Sequence, residues 1–219
     1  MSKKNETIAY VSMAIIMVAL GASDAMRGIF ALVFESHFAL THAQISFIVT
    51  VSYLGNLVFL LLGGSIADRF PKKKVSLVIL MIWCLFAFLY VVTDQYYILL
   101  LGMFFTMGAS TLMNTLMNIM TPILFVGAPA MIINTLFFIQ GIGTTGSQKL
   151  AGMFATNIGA WKVTNLILIG IAAIGIFLFS FVTISEPERT TEHRKNIGFL
   201  AVMKNPAFFY LVFILGCYF

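Results

Sequence analysis

Long apolar runs alternate with short polar stretches along almost the whole chain, and this pattern predicts helices that cross a membrane. A helix needs about twenty apolar residues to span the hydrocarbon core of a bilayer. Six stretches satisfy this requirement, and we number them as spans one to six: residues 8–34, 45–67, 75–92, 96–120, 130–154 and 163–184. A seventh apolar stretch begins near residue 206. Its roughly fourteen residues would give only about 20 Å of helix, too little to cross a core of about 30 Å.

The polar stretches divide the chain into three predicted parts. Residues 1–184 form an all-α transmembrane bundle, residues 185–205 form a polar linker with charges of both signs, and residues 206–219 form the truncated start of a seventh helix. The first apolar stretch is too long for the apolar region of a signal peptide, and no small-residue cleavage motif follows it. We therefore expect it to be retained as the first span.

Basic residues predict the orientation of the bundle. Short loops rich in Lys and Arg remain on the cytoplasmic side of a membrane. Bases precede span one, separate spans two and three, and follow span six, whereas the loops after spans one and three contain none. All the basic clusters therefore fall on one side. We predict an integral membrane protein of a bacterial inner membrane, with its N-terminus and its linker in the cytoplasm.

The composition excludes several other classes of protein. The chain is 60% hydrophobic and only 10% charged, whereas a soluble domain is about one quarter charged. The net charge of +5 arises from short loops between apolar runs, which does not suggest a nucleic-acid partner. Cys84 and Cys217 lie inside apolar runs, and no residues have the spacing of a metal site or of a catalytic group. We predict no enzyme, no cofactor and no metal.

The most highly charged turn lies between spans two and three. It contains Gly64, then Asp68-Arg69 after three residues, and then Lys72-Lys73. A glycine allows close approach of another backbone. Asp68 lies where a helix macrodipole disfavours an anion, so it needs a compensating partner, and Arg69 is one candidate. The alternative is that these bases only fix the orientation of the helices in the membrane.

This spacing resembles the loop between helices 2 and 3 of the major facilitator superfamily, with Pro71 in place of the usual second glycine. The Trp161-Lys162 pair at the start of span six supports the resemblance, which covers the whole chain as the N-terminal half of such a transporter. It implies two three-helix repeats and alternating access by rocking of two halves around a midplane site. It also implies that the turn is a conformational switch whose Asp68 meets a helix of a second half.

A narrower similarity concerns spans one and five. Their patterns resemble those of sugar–proton symporters related to the fucose permeases, through Gly21-x-x-Asp24-x-x-x-Gly28 and Asn134…Gln140-Gly141-x-Gly143. This similarity implies a sugar as solute and a proton as coupling ion.

Three ionisable residues lie inside the predicted spans: Asp24, Arg27 and Lys149. Such residues are costly in lipid and by default mark a pathway or a partner. We expect all three at similar depth, in one polar cluster that faces a central cavity. Asp24 is either a proton-binding carboxylate or one member of a permanently ionised pair with Arg27. The two cations could instead bind an anionic solute.

Amides form a second candidate group. Ser110, Asn114 and Asn118 recur every four residues, so they share one helix face. Asn134 and Gln140 in span five extend the set. Amides and hydroxyls suit a hydroxyl-rich solute, and they equally suit hydrogen bonds between helices.

The sequence thus favours secondary active transport of a small polar solute, with sugar–proton symport first. A drug, metabolite or organic-anion exporter of the same superfamily is the alternative. In a third hypothesis the chain transports nothing alone and needs a second half or self-association. The expected partners are the solute, protons and the lipid bilayer.

Overall fold

The computed structural model describes residues 3–184, together with Pro206 and Tyr210, which are helical. The predicted linker and the rest of the predicted seventh helix lie outside the described residues. Residues 3–184 form seven helices without a strand: α1 Lys3–Ile29, α2 Ala31–Phe38, α3 His42–Arg69, α4 Lys72–Val92, α5 Tyr96–Leu124, α6 Pro129–Phe154 and α7 Ile158–Ser180. The predicted all-α fold is confirmed.

Predicted span one is interrupted once. It corresponds to α1 and α2, which are separated by Phe30 alone. The backbone hydrogen bonds continue across the break, since Phe30 N donates to Met26 O and Phe34 N donates to Phe30 O, both at 2.9 Å. Phe30 is fully buried against Trp161, with ring centroids 5.3 Å apart. The break therefore changes the local geometry without ending the helical path.

Five of the described helices are long and apolar enough to cross a membrane, namely α1, α3, α4, α5 and α7. Helix α6, predicted as span five, is not among them, although its 26 residues give about 39 Å of helix. Its glycine, threonine, serine and glutamine residues lower its apolarity. Helix α6 is therefore long enough to cross a membrane. Its polar and small residues make contacts within the protein, as described below.

The predicted charged loop between spans two and three is shorter than expected. Helix α3 continues to Arg69 and α4 begins at Lys72, so only Phe70 and Pro71 connect them. Pro71 has φ of −56°, close to the value that its ring imposes, and its missing N–H suits the start of a helix. The acidic and basic residues of the motif therefore lie in the last turn of α3 and the first turn of α4.

The packing follows the pattern of two three-helix repeats. One group comprises α1 with α2, α3 and α4, and the other comprises α5, α6 and α7. Helix α1 packs mainly against α6 and α7, and α5 packs mainly against α3 and α4, while α4 also contacts α7. Helices α1, α3 and α4 correspond to α5, α6 and α7. Exchanging each helix for its counterpart reproduces this set of contacts. This exchange is the relation expected of the repeats found in transporters.

Glycines bring the principal helix pairs close together. A Cβ atom at Gly143 of α6 would lie 2.6 Å from the carbonyl oxygen of Val18 in α1. In the equivalent pair, Gly55 of α3 lies against the backbone of Phe104 in α5. Small residues that permit backbone contact are a common basis of helix association in membranes. The α1–α6 contact fixes the rotation of α6 and thereby decides which of its polar residues face the site.

Candidate functional site

Asp24 of α1 is the acidic group of the site. Ser110 of α5 is buried and donates a hydrogen bond of 2.9 Å to Asp24 Oδ2. The other carboxyl oxygen, Oδ1, is buried and has no hydrogen-bond partner among the described residues. The contact joins the first helix of each repeat. Asp24 therefore has one oxygen held by Ser110 and one buried oxygen without a partner among the described residues.

Arg27 lies one helical turn beyond Asp24, and it has a partner of its own. Its guanidinium carbon lies 4.6 Å from the ring centroid of Tyr53 in α3, a cation–π contact. One of its terminal nitrogens, Nη1, is buried without a hydrogen-bond partner in the described part of the chain. No ion pair joins Arg27 to Asp24 within residues 3–184. The two side chains thus form no direct ion pair there, and the permanently ionised pair considered from the sequence stays a hypothesis.

Amides extend the site towards α6. Gln140 Nε2 donates to Asn114 Oδ1 across 3.4 Å, and both residues are half-buried. Asn114 lies one turn after Ser110 on the same face of α5. We call the six residues Asp24, Arg27, Tyr53, Ser110, Asn114 and Gln140 the central polar cluster.

Three predicted site residues lie outside this cluster. Asn118, Asn134 and Lys149 are exposed, and none of them makes a described hydrogen bond or ion pair. The reason on α6 is rotational: Ser147 faces α1 and contacts Ala22 O at 3.5 Å, and each helical residue turns the chain by about 100°. Lys149, two residues later, therefore points to the opposite side. The predicted single cluster of three ionisable residues contains only Asp24 and Arg27.

Tyr53 was missed as a site residue, and Ser110 was expected to line a cavity without being assigned to Asp24. A signal for Tyr53 was available. Tyr53 lies three residues before Asn56, so Tyr53 and Asn56 share one face of α3. The side chain of Asn56 accepts a 2.9 Å hydrogen bond from Thr111 of α5. That face marks where α3 meets α5. The pairing of Tyr53 with Arg27 depends on how α1 and α3 are placed, which no single helix encodes.

Comparison with known proteins adds the family. The model of the Major Facilitator Superfamily matches residues 7–219. The chain belongs to the major facilitator superfamily. It is therefore an integral membrane protein of a family whose members transport small solutes, as the charged turn predicted. No individual curated protein matches the chain, and the resemblance to fucose permeases stays a prediction.

The superfamily turn is tied to the rest of the bundle through Lys73. Its ammonium group donates a 2.7 Å hydrogen bond to the carbonyl oxygen of Ser180, the last residue of α7. A cation at a helix C-terminus is favoured by the macrodipole. Beside it, the side chain of Asn5 exchanges two 2.8 Å hydrogen bonds with the backbone of Thr183. Lys73 thus does more than set topology, because it holds the end of α7.

The close backbone approach predicted at Gly64 is not found among the described residues, and the tight contact at the neighbouring Gly63 is with a side chain. A Cβ at Gly64 would meet nothing within 4 Å among the described residues, whereas one at Gly63 would lie 2.8 Å from Leu112 Cδ1. Asp68 and Arg69 are the last residues of α3, and Lys72 is the first of α4. Gly64 lies on the exposed side of α3, where only a partner outside the described contacts could approach it.

Replacing Lys73 by methionine should lower the melting temperature of the purified chain by about 2 °C. The variant keeps the apolar stem and loses one charge-assisted hydrogen bond at a half-exposed position, worth about 1 kcal/mol. Lys74→Met is the matched control, since Lys74 is exposed on the same helical turn and makes no described hydrogen bond. Thermal unfolding in detergent measures both. Equal melting temperatures for the two variants would contradict the role assigned to Lys73.

The opposite end of the bundle carries a second charged group. Asp94 Oδ1 lies 2.9 Å from His37 Nε2, and Asp94 Oδ2 lies 3.6 Å from Lys162 Nζ. These contacts join α2, the α4–α5 connection and α7. His42 pairs with Glu35 at 3.5 Å. Each of the two histidines thus contacts a carboxylate at this end of the bundle. Residues 3–184 contain no group of His, Cys, Asp or Glu suited to a metal.

Proposed function

We propose that the chain carries out secondary active transport of a small polar solute, with sugar–proton symport as the coupled reaction. The observation that carries this proposal is the buried, unpartnered carboxyl oxygen of Asp24 within a membrane-spanning helix. A major facilitator protein supplies the class of reaction. The remaining members of the central polar cluster supply the solute site.

Asp24 is suited to carry the coupling proton. An ionised carboxylate inside a membrane protein is costly, and Ser110 stabilises only one of its oxygens. Protonation at Oδ1 would remove the charge without breaking the bond from Ser110. The helix could then move its polar residues through the low-dielectric part of the protein at lower cost.

The amide pair is suited to bind solute hydroxyl groups. The Gln140–Asn114 hydrogen bond, at 3.4 Å, is longer than the usual 2.9–3.0 Å. A long bond is weak, so its donor and acceptor can be transferred to a solute at little cost. A hydroxyl group both donates and accepts. It can therefore accept from Gln140 and donate to Asn114 in place of the hydrogen bond between the two amides.

The charged turn is the proposed conformational switch. Gly64, Asp68, Arg69, Lys72 and Lys73 lie at the end of the bundle that holds the α1 N-terminus and the α7 C-terminus. In this proposal that end faces the cytoplasm, as the basic loops favour. Rearrangement of the turn would release or form contacts such as Lys73 to Ser180 as the protein alternates between its two openings.

Uptake into proteoliposomes tests the function directly. The purified 219-residue chain is reconstituted with an alkaline interior, and labelled L-fucose, D-galactose and D-glucose are offered outside. We expect saturable accumulation of at least one sugar above its external concentration, which a protonophore reduces to equilibration. Protein-free liposomes are the control. Uptake that is saturable but indifferent to the proton gradient would contradict symport, and no uptake of any of the three sugars would contradict transport of neutral sugars by this chain alone.

A further inference from the structure

Two adjacent side chains of the central polar cluster each present a buried atom that the protein leaves unpartnered. Within the described residues, three buried side-chain polar atoms have no hydrogen-bond partner: Asp24 Oδ1, Arg27 Nη1 and Trp83 Nε1. The first two lie one turn apart on α1, separated by about 4.5 Å of helical rise. They are an acceptor and a donor of opposite charge.

These two groups do not satisfy each other, because each is held by a different helix. Ser110 of α5 holds the carboxylate of Asp24, and Tyr53 of α3 lies against the guanidinium of Arg27. Leaving a buried charged group without a hydrogen bond costs free energy. The arrangement therefore leaves two buried polar atoms of opposite charge, and a bound molecule that reaches both would satisfy them.

The chemistry of the two atoms specifies the molecule. An arginine nitrogen binds an acceptor and pairs best with a carboxylate. An ionised or protonated Asp24 oxygen binds a hydroxyl group, which both donates and accepts. We propose that the central polar cluster binds a hydroxylated monocarboxylate of the sugar-acid class, with its carboxylate on Arg27 and a hydroxyl group on Asp24. This inference rests on the proposed transport function and names the substrate class of the same site.

Charge balance supports an acid over a neutral sugar. With Asp24 ionised and Arg27 charged, the empty cluster has a net charge of zero. Binding a proton on Asp24 together with a carboxylate on Arg27 again gives zero, whereas a proton with a neutral sugar leaves one positive charge in the membrane. Uncompensated charge there is costly. The anion and the proton therefore favour each other's binding.

Other charged groups leave this balance in place. Among the helices that pack on α1, α6 contributes Lys149, which is exposed and faces away from α1. Helices α2 and α7 contribute Glu35, His37 and Lys162, which take part in the ion pairs at the far end of the bundle. Helix α5 has no charged residue. Arg27 is thus the cation that meets the solute.

Matched probes of equal size test the inference in proteoliposomes of the 219-residue chain. D-glucuronate, D-glucuronamide and D-glucose differ at one substituent, and only the first is charged. We expect half-saturation for glucuronate at a concentration at least about tenfold lower than for the other two, as for one charge-assisted hydrogen bond. Arg27→Gln should reduce this preference to within about threefold, Arg27→Lys should retain part of it, and Lys74→Gln should keep it in full.

The outcomes separate the inference from the function on which it rests. Saturable, proton-driven uptake of glucose or glucuronamide at least as good as that of glucuronate would overturn the inference and leave the proposed function intact. An undiminished preference in folded Arg27→Gln would also overturn it. No uptake of any probe would overturn both. A potassium diffusion potential adds an independent readout: proton–glucuronate uptake should be insensitive to it, and a strong dependence would contradict the charge balance.

Discussion

Replacing Asp24 by asparagine should abolish proton-driven accumulation of solute while leaving exchange of solute across the membrane. Asparagine has the shape of aspartate, and its carbonyl oxygen can still accept the hydrogen bond from Ser110. It cannot take up a proton, so an imposed pH gradient would no longer be coupled to the solute. We expect initial uptake driven by a pH gradient to fall by about a hundredfold or more, the lower end of the usual effect of losing a proton-transfer group. Counterflow exchange in the same liposomes should continue.

Asp94→Asn is the matched control for this substitution. Asp94 is also a carboxylate with described partners, but it is about half exposed and lies at the far end of the bundle beside His37 and Lys162. Its loss should leave gradient-driven uptake within about twofold, because a surface ion pair contributes little. Unchanged proton-coupled uptake in Asp24→Asn would eliminate the carrier role. A lower melting temperature with unchanged coupling would assign Asp24 to bundle stability instead.

The membrane helices were predictable because the apolar character of about twenty consecutive residues adds up to a clear signal in the sequence. The structure confirms the predicted end of span three at Val92, the start of span four at Tyr96 and the end of span five at Phe154. Helix α7 begins at Ile158, earlier than the predicted 163, because Asn157 caps it by accepting a hydrogen bond from Ala160 N. That cap has a recognisable sequence pattern. The break at Phe30 has no such pattern, and the structure shows Phe30 packed against Trp161 there.

The candidate site was predictable in part, for a reason specific to helices. Periodicity assigns residues to a common face, and it correctly grouped Ser110 with Asn114. It does not say which face turns inwards. On α6 the rotation is set by the contact of Gly143 with Val18, which leaves Asn134 and Lys149 on the exposed side. Ionisable residues in apolar runs were therefore recognised, while their partners required the structure.

The same contact yields the largest expected effect on stability. Gly143→Ala should destabilise the bundle by about 2 kcal/mol or more, the usual range for overpacking. Its new Cβ would lie 2.6 Å from Val18 O and 3.0 Å from Val18 Cα, and backbone atoms cannot move aside as a side chain can. We expect the melting temperature in detergent to fall by about 5 °C or more.

Gly141→Ala provides the control within the same helix. A Cβ at Gly141 meets nothing within 4 Å among the described residues, and alanine is the better helix former by about 1 kcal/mol. This variant should therefore melt at the same temperature as the parent or higher. Gly21→Ala and Gly28→Ala repeat the comparison on α1, since Gly21 lies against Gln140 and Gly28 faces open space.

The two pairs of variants also connect stability to the site. A shift of α6 away from Gly21 would move Gln140, whose amide donates to Asn114 in the central polar cluster. Gly21→Ala should therefore weaken solute binding as well as folding, whereas Gly28→Ala should change neither. If Gly143→Ala proved as stable as Gly141→Ala, α1 and α6 would not meet as described. The placement of Gln140 beside Asn114 would then lose its basis, because the rotation of α6 follows from that contact.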